Sequence, residues 1–135
     1  MSRQAKAVLL GILAGAATMA EAEADTVACH LTYGGQTRLI EARPSASPYS
    51  EAPVAMGSYF LFRIVYRQKP ADLAGIKLYT YADRDGGPVI IHQASHPLPA
   101  VNRAHHGFTG LQYVYEPVRD GELQYWCELR AGAPT

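Results

Sequence analysis

The longest β-prone run of the chain is residues 58–66, which contain no Gly or Pro and are rich in aromatic and β-branched residues. A β-strand sends successive side chains to opposite faces, so the run divides into two sets. One set is Phe60, Phe62, Ile64 and Tyr66, and the other is Tyr59, Leu61, Arg63 and Val65. The pattern predicts a strand in the middle of a sheet, with the first set in the core.

Six further strands are predicted from the same two-residue period and from the turn residues between them. They are Thr26–Tyr33, Gln36–Ala42 and residues 76–82, 88–94, 108–116 and 122–130. Turn-forming pairs such as Gly34-Gly35 favour antiparallel hairpins. The sequence therefore predicts an all-β domain, an antiparallel two-sheet sandwich or small barrel of about seven strands.

Two long segments interrupt this pattern and are predicted to be loops. Residues 43–56 contain three prolines and several serines, and residues 95–107 contain two prolines and three histidines. Loops of this length are uncommon unless they are functional or flexible, so both are candidate sites.

Residues 1–24 have the pattern of a secretory signal peptide. Arg3 and Lys6 give a basic start, residues 7–20 are apolar or small, and residues 20–24 read AEAEA, which offers two A-x-A cleavage sites. The apolar segment is shorter than the roughly 20 residues that span a bilayer. We expect one β-sandwich domain, residues 25–135, that is periplasmic or secreted and has no membrane span after cleavage.

The two cysteines fit an oxidising compartment. Cys29 and Cys127 stand at opposite ends of the predicted domain, and an even pair in an exported protein predicts a disulfide. Both fall on the apolar face of their strands, so the bond is expected to join the first strand to the last. It would close a loop of about 100 residues.

The charge balance argues against nucleic acid as a partner. The chain has 12 Lys and Arg against 12 Asp and Glu, whereas nucleic-acid-binding domains carry a basic excess.

A tyrosine-rich and arginine-containing face is the first candidate site. The chain has nine tyrosines, and Tyr59, Tyr79 and Tyr81 fall on polar-facing strand positions together with Arg63. Rigid rings beside arginine are typical of recognition surfaces, although tyrosine also favours strands for packing alone. We therefore predict a non-enzymatic binding or accessory module whose partner is another envelope or secreted protein.

A histidine-rich segment supports an alternative function. His92, His96, His105 and His106 lie in or just before the second loop, and neutral imidazole suits copper or zinc. His92 is predicted on a strand, so only a bend near Pro97 would bring it to His96. The alternatives are a secreted copper- or zinc-binding protein, or surface histidines that bind no metal.

A small hydrolase is the third class. No G-x-S-x-G nucleophile motif is present, and both cysteines are assigned to the disulfide. Glu116, Glu122 and Glu128 are candidates for a two-carboxylate mechanism only because they are acidic and lie on predicted strands. No cofactor is predicted for either non-metal function.

Overall fold

The computed structural model describes residues 25–132, which fold into eight strands and no α-helix. The strands are β1 (Thr26–Tyr33), β2 (Gln36–Ala42), β3 (Val54–Met56), β4 (Phe60–Arg67), β5 (Gly75–Arg84), β6 (Gly87–His96), β7 (Gln112–Glu116) and β8 (Gly121–Arg130). Two 3₁₀ segments, Pro48–Ser50 and Ala71–Leu73, lie in the connections. The signal peptide predicted for residues 1–24 lies outside the described residues.

The strands form two antiparallel four-stranded sheets packed face to face. One sheet has the order β2-β1-β8-β7, and the other has the order β3-β4-β5-β6. The predicted two-sheet sandwich is therefore confirmed, and of the two architectures considered it is the sandwich that forms. Within residues 25–132, no helix is long and apolar enough to cross a bilayer.

The core confirms the face assigned to the central strand. Phe60 and Phe62 are fully buried, and Ile64 and Tyr66 are nearly so. These side chains pack against the inward residues of the opposite sheet, where the Phe62 and Tyr125 rings lie 5.1 Å apart. β4 pairs with β3 on one side and β5 on the other, so it occupies the interior position that its apolar character predicts.

The predicted disulfide is present. Cys29 and Cys127 are direct partners in the β1–β8 register, their Cα atoms are 4.0 Å apart, and both side chains are fully buried. The bond thus joins the first and last strands, which are neighbours in one sheet.

Several boundaries differ from the sequence prediction, and the count of about seven strands becomes eight. The segment predicted as a loop at residues 43–56 contains β3, a strand too short to show a two-residue period. β7 begins only at Gln112, because the chain before it turns through Gly107 and Gly110 with positive φ. β6 extends to His96, so the second loop begins at Pro97.

Candidate functional site

Three of the four predicted recognition residues share the outer face of the β4–β5 pair. Arg63 is the direct cross-strand partner of Tyr79, and Leu61 is that of Tyr81. The Arg63 guanidinium lies 4.5 Å from the Tyr79 ring centroid, and the Tyr79 and Tyr81 rings stack 6.4 Å apart. Arg63, Tyr79 and Tyr81 thus form a continuous patch, which we call the Arg–Tyr surface.

Tyr59, the fourth predicted residue, occupies a different setting. It lies in the turn that joins β3 to β4, where Gly57 has a φ of 64°, and not in the strand itself. Its ring is 6.4 Å from that of Tyr33, and the Arg119 guanidinium stands 4.6 Å above it. Tyr59 therefore packs at the edge of the core, and its strand placement was wrong because the turn extends to residue 59.

A pocket of about 420 Å³ adjoins the Arg–Tyr surface, and we call it the β4–β5 pocket. Its lining from the two strands consists of Arg63, Val65, Arg67, Gly75, Lys77 and Tyr79. Its walls come from the connections, namely Pro48, Tyr49, Leu73 and Ala74. Ser95, His96 and Pro97 close one end.

The first long loop is held over β4 by the two arginines of that strand. Arg63 Nη1 donates to the Pro48 carbonyl at 3.3 Å, and Arg67 Nη2 donates to the Ala46 carbonyl at 3.3 Å. The Ser45 amide also donates to the Tyr66 carbonyl at 2.8 Å. The loop is thereby fixed in place and forms a wall of the pocket.

The pocket is strongly cationic. Arg63, Arg67 and Lys77 line it, and no Asp or Glu of the described residues does. None of these three cations forms an ion pair with a carboxylate within residues 25–132. The Nε atoms of Arg63 and Arg67 are buried and have no hydrogen-bond partner among the protein atoms described. The donors that face the pocket are therefore the other N–H groups of the two guanidinium groups, of which each gives one hydrogen bond to the loop.

The structure does not gather the four histidines predicted as metal ligands. His92 faces inward, and its Nε2 atom lies 2.7 Å from the Tyr125 hydroxyl of the opposite sheet. The His96 ring packs on Phe108 at 5.2 Å, and the His106 ring packs on Trp126 at 5.7 Å. Across residues 25–132, no three His, Cys, Asp or Glu side chains are grouped so that they could hold a metal ion.

A second aromatic cluster, which was not predicted from the sequence, lies on the outer face of the other sheet. The His30 ring stacks on Trp126 at 3.9 Å with an angle of 8° between the planes. His30 Nε2 is 2.8 Å from Glu128 Oε2, and Arg130 Nε donates to Glu128 Oε1 at 3.0 Å. The alternation of β8, which places Trp126, Glu128 and Arg130 on one face, was the available signal.

Comparisons with protein-family models, with curated proteins and with solved structures find no match for this chain. Function is therefore inferred from the arrangement of the residues themselves.

The acidic residues considered for hydrolysis have separate surroundings. Glu116 is fully buried; Arg84 Nη2 and the Arg119 amide each donate to it at 2.9 Å, and the Val118 amide donates at 3.0 Å. Burial raises its pKa, but these donors outweigh burial and hold it below the usual range. The same balance, with donors from Arg130 and His30, lowers the pKa of Glu128. Glu122 is exposed.

Two partly buried histidines predict a dependence of stability on pH. Burial lowers the pKa of both His92 and His96 below the ordinary value of 6.5. The unfolded chain therefore binds more protons than the folded chain as the pH falls through 6.5, and the folded state loses stability over that range. We expect a lower melting temperature at about pH 5.5 than at about pH 7.5.

The matched variants for this prediction are His92→Gln and His105→Gln. His105 is exposed, so its replacement should leave the pH dependence unchanged, whereas His92→Gln should reduce it. An equal loss of stability on acidification in all three proteins would show that His92 is not the cause.

Proposed function

We propose that this protein is a small exported binding module that recognises another protein through the Arg–Tyr surface and performs no catalysis. The observation that carries the proposal is the row of stacked side chains, in which the Arg63 guanidinium lies 4.5 Å from the Tyr79 ring and Tyr79 stacks on Tyr81. Tyrosine and arginine dominate the energetics of protein interfaces, because they present large contact areas with few rotatable bonds or with several donors.

The rim of the adjacent pocket supports a protein partner. Tyr49 is 91% exposed and Leu73 is 55% exposed, so each offers an apolar side chain that the domain itself does not cover. Together with Tyr79 they surround a concave centre with exposed apolar groups, which is typical of interaction sites. The Arg–Tyr surface and the pocket rim thus form one candidate interface on the outer face of β4 and β5.

Two features of the chain support the proposal of export. Residues 1–24 have the composition of a signal peptide, and the Cys29–Cys127 disulfide is the kind that persists in oxidising compartments. We place the protein in the periplasm or outside the cell on these grounds.

The surroundings of the carboxylates support a role without hydrolysis. The Glu116 oxygens accept three hydrogen bonds from Arg84 and two backbone amides, and Glu128 is engaged by His30 and Arg130. A general acid needs a proton that it can give up near neutral pH, whereas these donors favour the ionised form.

The test is the affinity of the natural partner for variants of the interface. The partner would be isolated by copurification with the exported protein from its own envelope, and its affinity would then be measured by calorimetry. We expect Arg63→Ala/Tyr79→Ala to weaken binding by at least about tenfold, since each residue has the character of an interface hot spot.

The matched control is Arg38→Ala/Tyr113→Ala, which removes the same two residue types from exposed positions of the other sheet. Its affinity should equal that of the unmodified protein. If both double variants bind equally well, recognition does not use the outer face of β4 and β5.

A further inference from the structure

The geometry points to the kind of group that the β4–β5 pocket accepts: we propose that it holds a carboxylate side chain from an acidic segment of the partner protein. This inference deepens the proposed function and rests on it, because it names the chemistry of the partner at the same surface. Four features of the pocket carry it, namely the spacing of its cations, their free donors, the local excess of charge and the apolar walls.

The three cations surround one point on the sheet. Arg63 precedes Val65 by two positions and Arg67 follows it by two. Along an extended strand, each Cα atom therefore lies roughly 6.6 Å from that of Val65. Lys77 is the direct cross-strand partner of Val65 on β5. The pocket, which Val65 also lines, is therefore flanked by two guanidinium groups and one ammonium group.

Each arginine keeps donors that the protein does not use. A guanidinium carries five N–H donors, and here Arg63 and Arg67 each give one hydrogen bond to a carbonyl of the loop. That bond fixes the side chain. The Nε atoms are buried, so the donors that a bound group can reach are the remaining Nη N–H groups. Fixed donors of this type are arranged to meet a planar anion such as a carboxylate.

The positive charge is local and does not reflect a basic protein. The chain has 12 cationic and 12 acidic residues, yet three cations and no described carboxylate line this pocket. A polyanion such as nucleic acid is normally bound by an extended basic face, whereas a confined cluster of charge fits a discrete acidic group.

The walls favour a carboxylate on a carbon chain over a free inorganic anion. Pro48, Leu73 and Pro97 give the pocket apolar sides. Its volume of about 420 Å³ far exceeds that of a small ion, since a water molecule takes only about 30 Å³. The methylene groups of a glutamate and its neighbouring peptide would fill the space that an ion alone leaves open.

The experiment uses two blocked peptides that carry three successive glutamates or three successive glutamines between alanines. Binding to the disulfide-bonded protein would be followed by amide chemical shifts in NMR titrations. We expect the glutamate peptide to perturb β4 and β5 and to bind at least about tenfold more tightly than the glutamine peptide, because charge-assisted hydrogen bonds are about twice as strong as neutral ones. Its affinity should fall as salt screens the pocket.

Neutralising variants test the assignment of the pocket. Lys77→Gln should lower the affinity for the glutamate peptide by about tenfold, and Arg67→Gln/Lys77→Gln should lower it by about a hundredfold. Arg38→Gln removes one charge from the other sheet and should have no effect. Equal binding of the two peptides, or equal binding by Lys77→Gln and Arg38→Gln, would overturn the carboxylate assignment.

Two comparisons separate the remaining outcomes. Inorganic phosphate and free succinate serve as small-anion probes, and binding of either as tightly as the glutamate peptide would make the pocket a small-anion site and refute the peptide proposal. Affinity for the natural partner separates this inference from the proposed function. If Arg67→Gln/Lys77→Gln leaves that affinity unchanged while Arg63→Ala/Tyr79→Ala lowers it, protein recognition stands and the carboxylate inference fails.

Discussion

Removing the Cys29–Cys127 bond is expected to lower the free energy of unfolding by about 4–5 kcal/mol. The two residues are 98 positions apart, so the bond closes a loop that includes nearly the whole described domain. In the chain-entropy model a cross-link over such a long loop restricts the unfolded ensemble strongly. The measurement is equilibrium unfolding of Cys29→Ala/Cys127→Ala in guanidinium chloride.

A control is needed because the substitutions also remove two fully buried sulfur atoms. The unmodified protein with its disulfide chemically reduced keeps the sulfurs and loses only the cross-link. If the restriction of the unfolded chain is the main cause, the reduced protein should lose nearly as much stability as the double variant. A loss below about 1 kcal/mol in the reduced protein would contradict the loop-closure argument.

The size of this effect matters for the function. A domain of this length has a total stability of about 5–15 kcal/mol, so the bond contributes a substantial part of it. The candidate binding surface lies on the other sheet, which is held to the disulfide sheet by apolar packing such as that of Phe62 against Tyr125. Reduction of the disulfide is therefore expected to impair the binding surface only by lowering the stability of the whole domain.

The alternation of side chains was sufficient to predict the core face and an all-β domain, with a two-sheet sandwich or a small barrel as its architecture. Phe60, Phe62, Ile64 and Tyr66 are buried as their spacing indicates, since a two-residue period is a local property of the chain. The disulfide could be predicted as well. With only two cysteines, both on apolar faces, one pairing is possible.

The pocket could not be predicted, because it depends on contacts between distant parts of the chain. Arg67 donates to Ala46, 21 residues earlier, and this contact places the loop beside Lys77. The sequence indicated that Arg63, Tyr79 and Tyr81 share a face, but the loop that makes the surface concave shows no periodic pattern.

The histidine placements depend on a local irregularity that the sequence does not show. The β5–β6 register shifts between Thr80 and Tyr81, so Ile91 of β6 has no direct partner. Beyond this bulge His92 and His96 face the interior opposite Thr80 and Ile76. A bulge changes which face a residue occupies, so the inward placement of His92 could not be predicted from the strand assigned to it.

Replacing Gly107 is expected to have an effect of similar size to loss of the disulfide, because the second long loop lies directly on the backbone of β8. The Phe108 amide donates to the Cys127 carbonyl at 3.0 Å, and Thr109 Oγ1 accepts from the Cys127 amide at 2.9 Å. The Asn102 side chain forms two further hydrogen bonds with the backbone of Leu129, of 2.7 and 2.9 Å. The loop thereby covers the edge of β8 beyond the end of β7.

In Gly107→Ala the new Cβ atom would overlap the carbonyl oxygen of Cys127 and lie 2.7 Å from its carbon and 2.9 Å from Glu128 Cα. These are backbone atoms, so they cannot move aside by changing a rotamer. Gly107 also has a φ of 59°, which costs an L-residue about 1–2 kcal/mol. Overpacking adds about 1–3 kcal/mol to this cost. We therefore expect the free energy of unfolding to fall by about 2–5 kcal/mol, near the upper end of that range.

Gly34→Ala is the matched control, because Gly34 has the same φ of 59° but no atom within 4 Å of the position of a new Cβ. Its free energy of unfolding should fall only by the cost of an L-residue at positive φ, about 1–2 kcal/mol. Hydrogen exchange supplies the local readout. The Phe108 and Cys127 amides should lose protection in Gly107→Ala and keep it in Gly34→Ala, since only the first variant forces the loop off β8. Equal stability of the two variants would mean that the contact of the loop with Cys127 is not what makes glycine necessary at position 107.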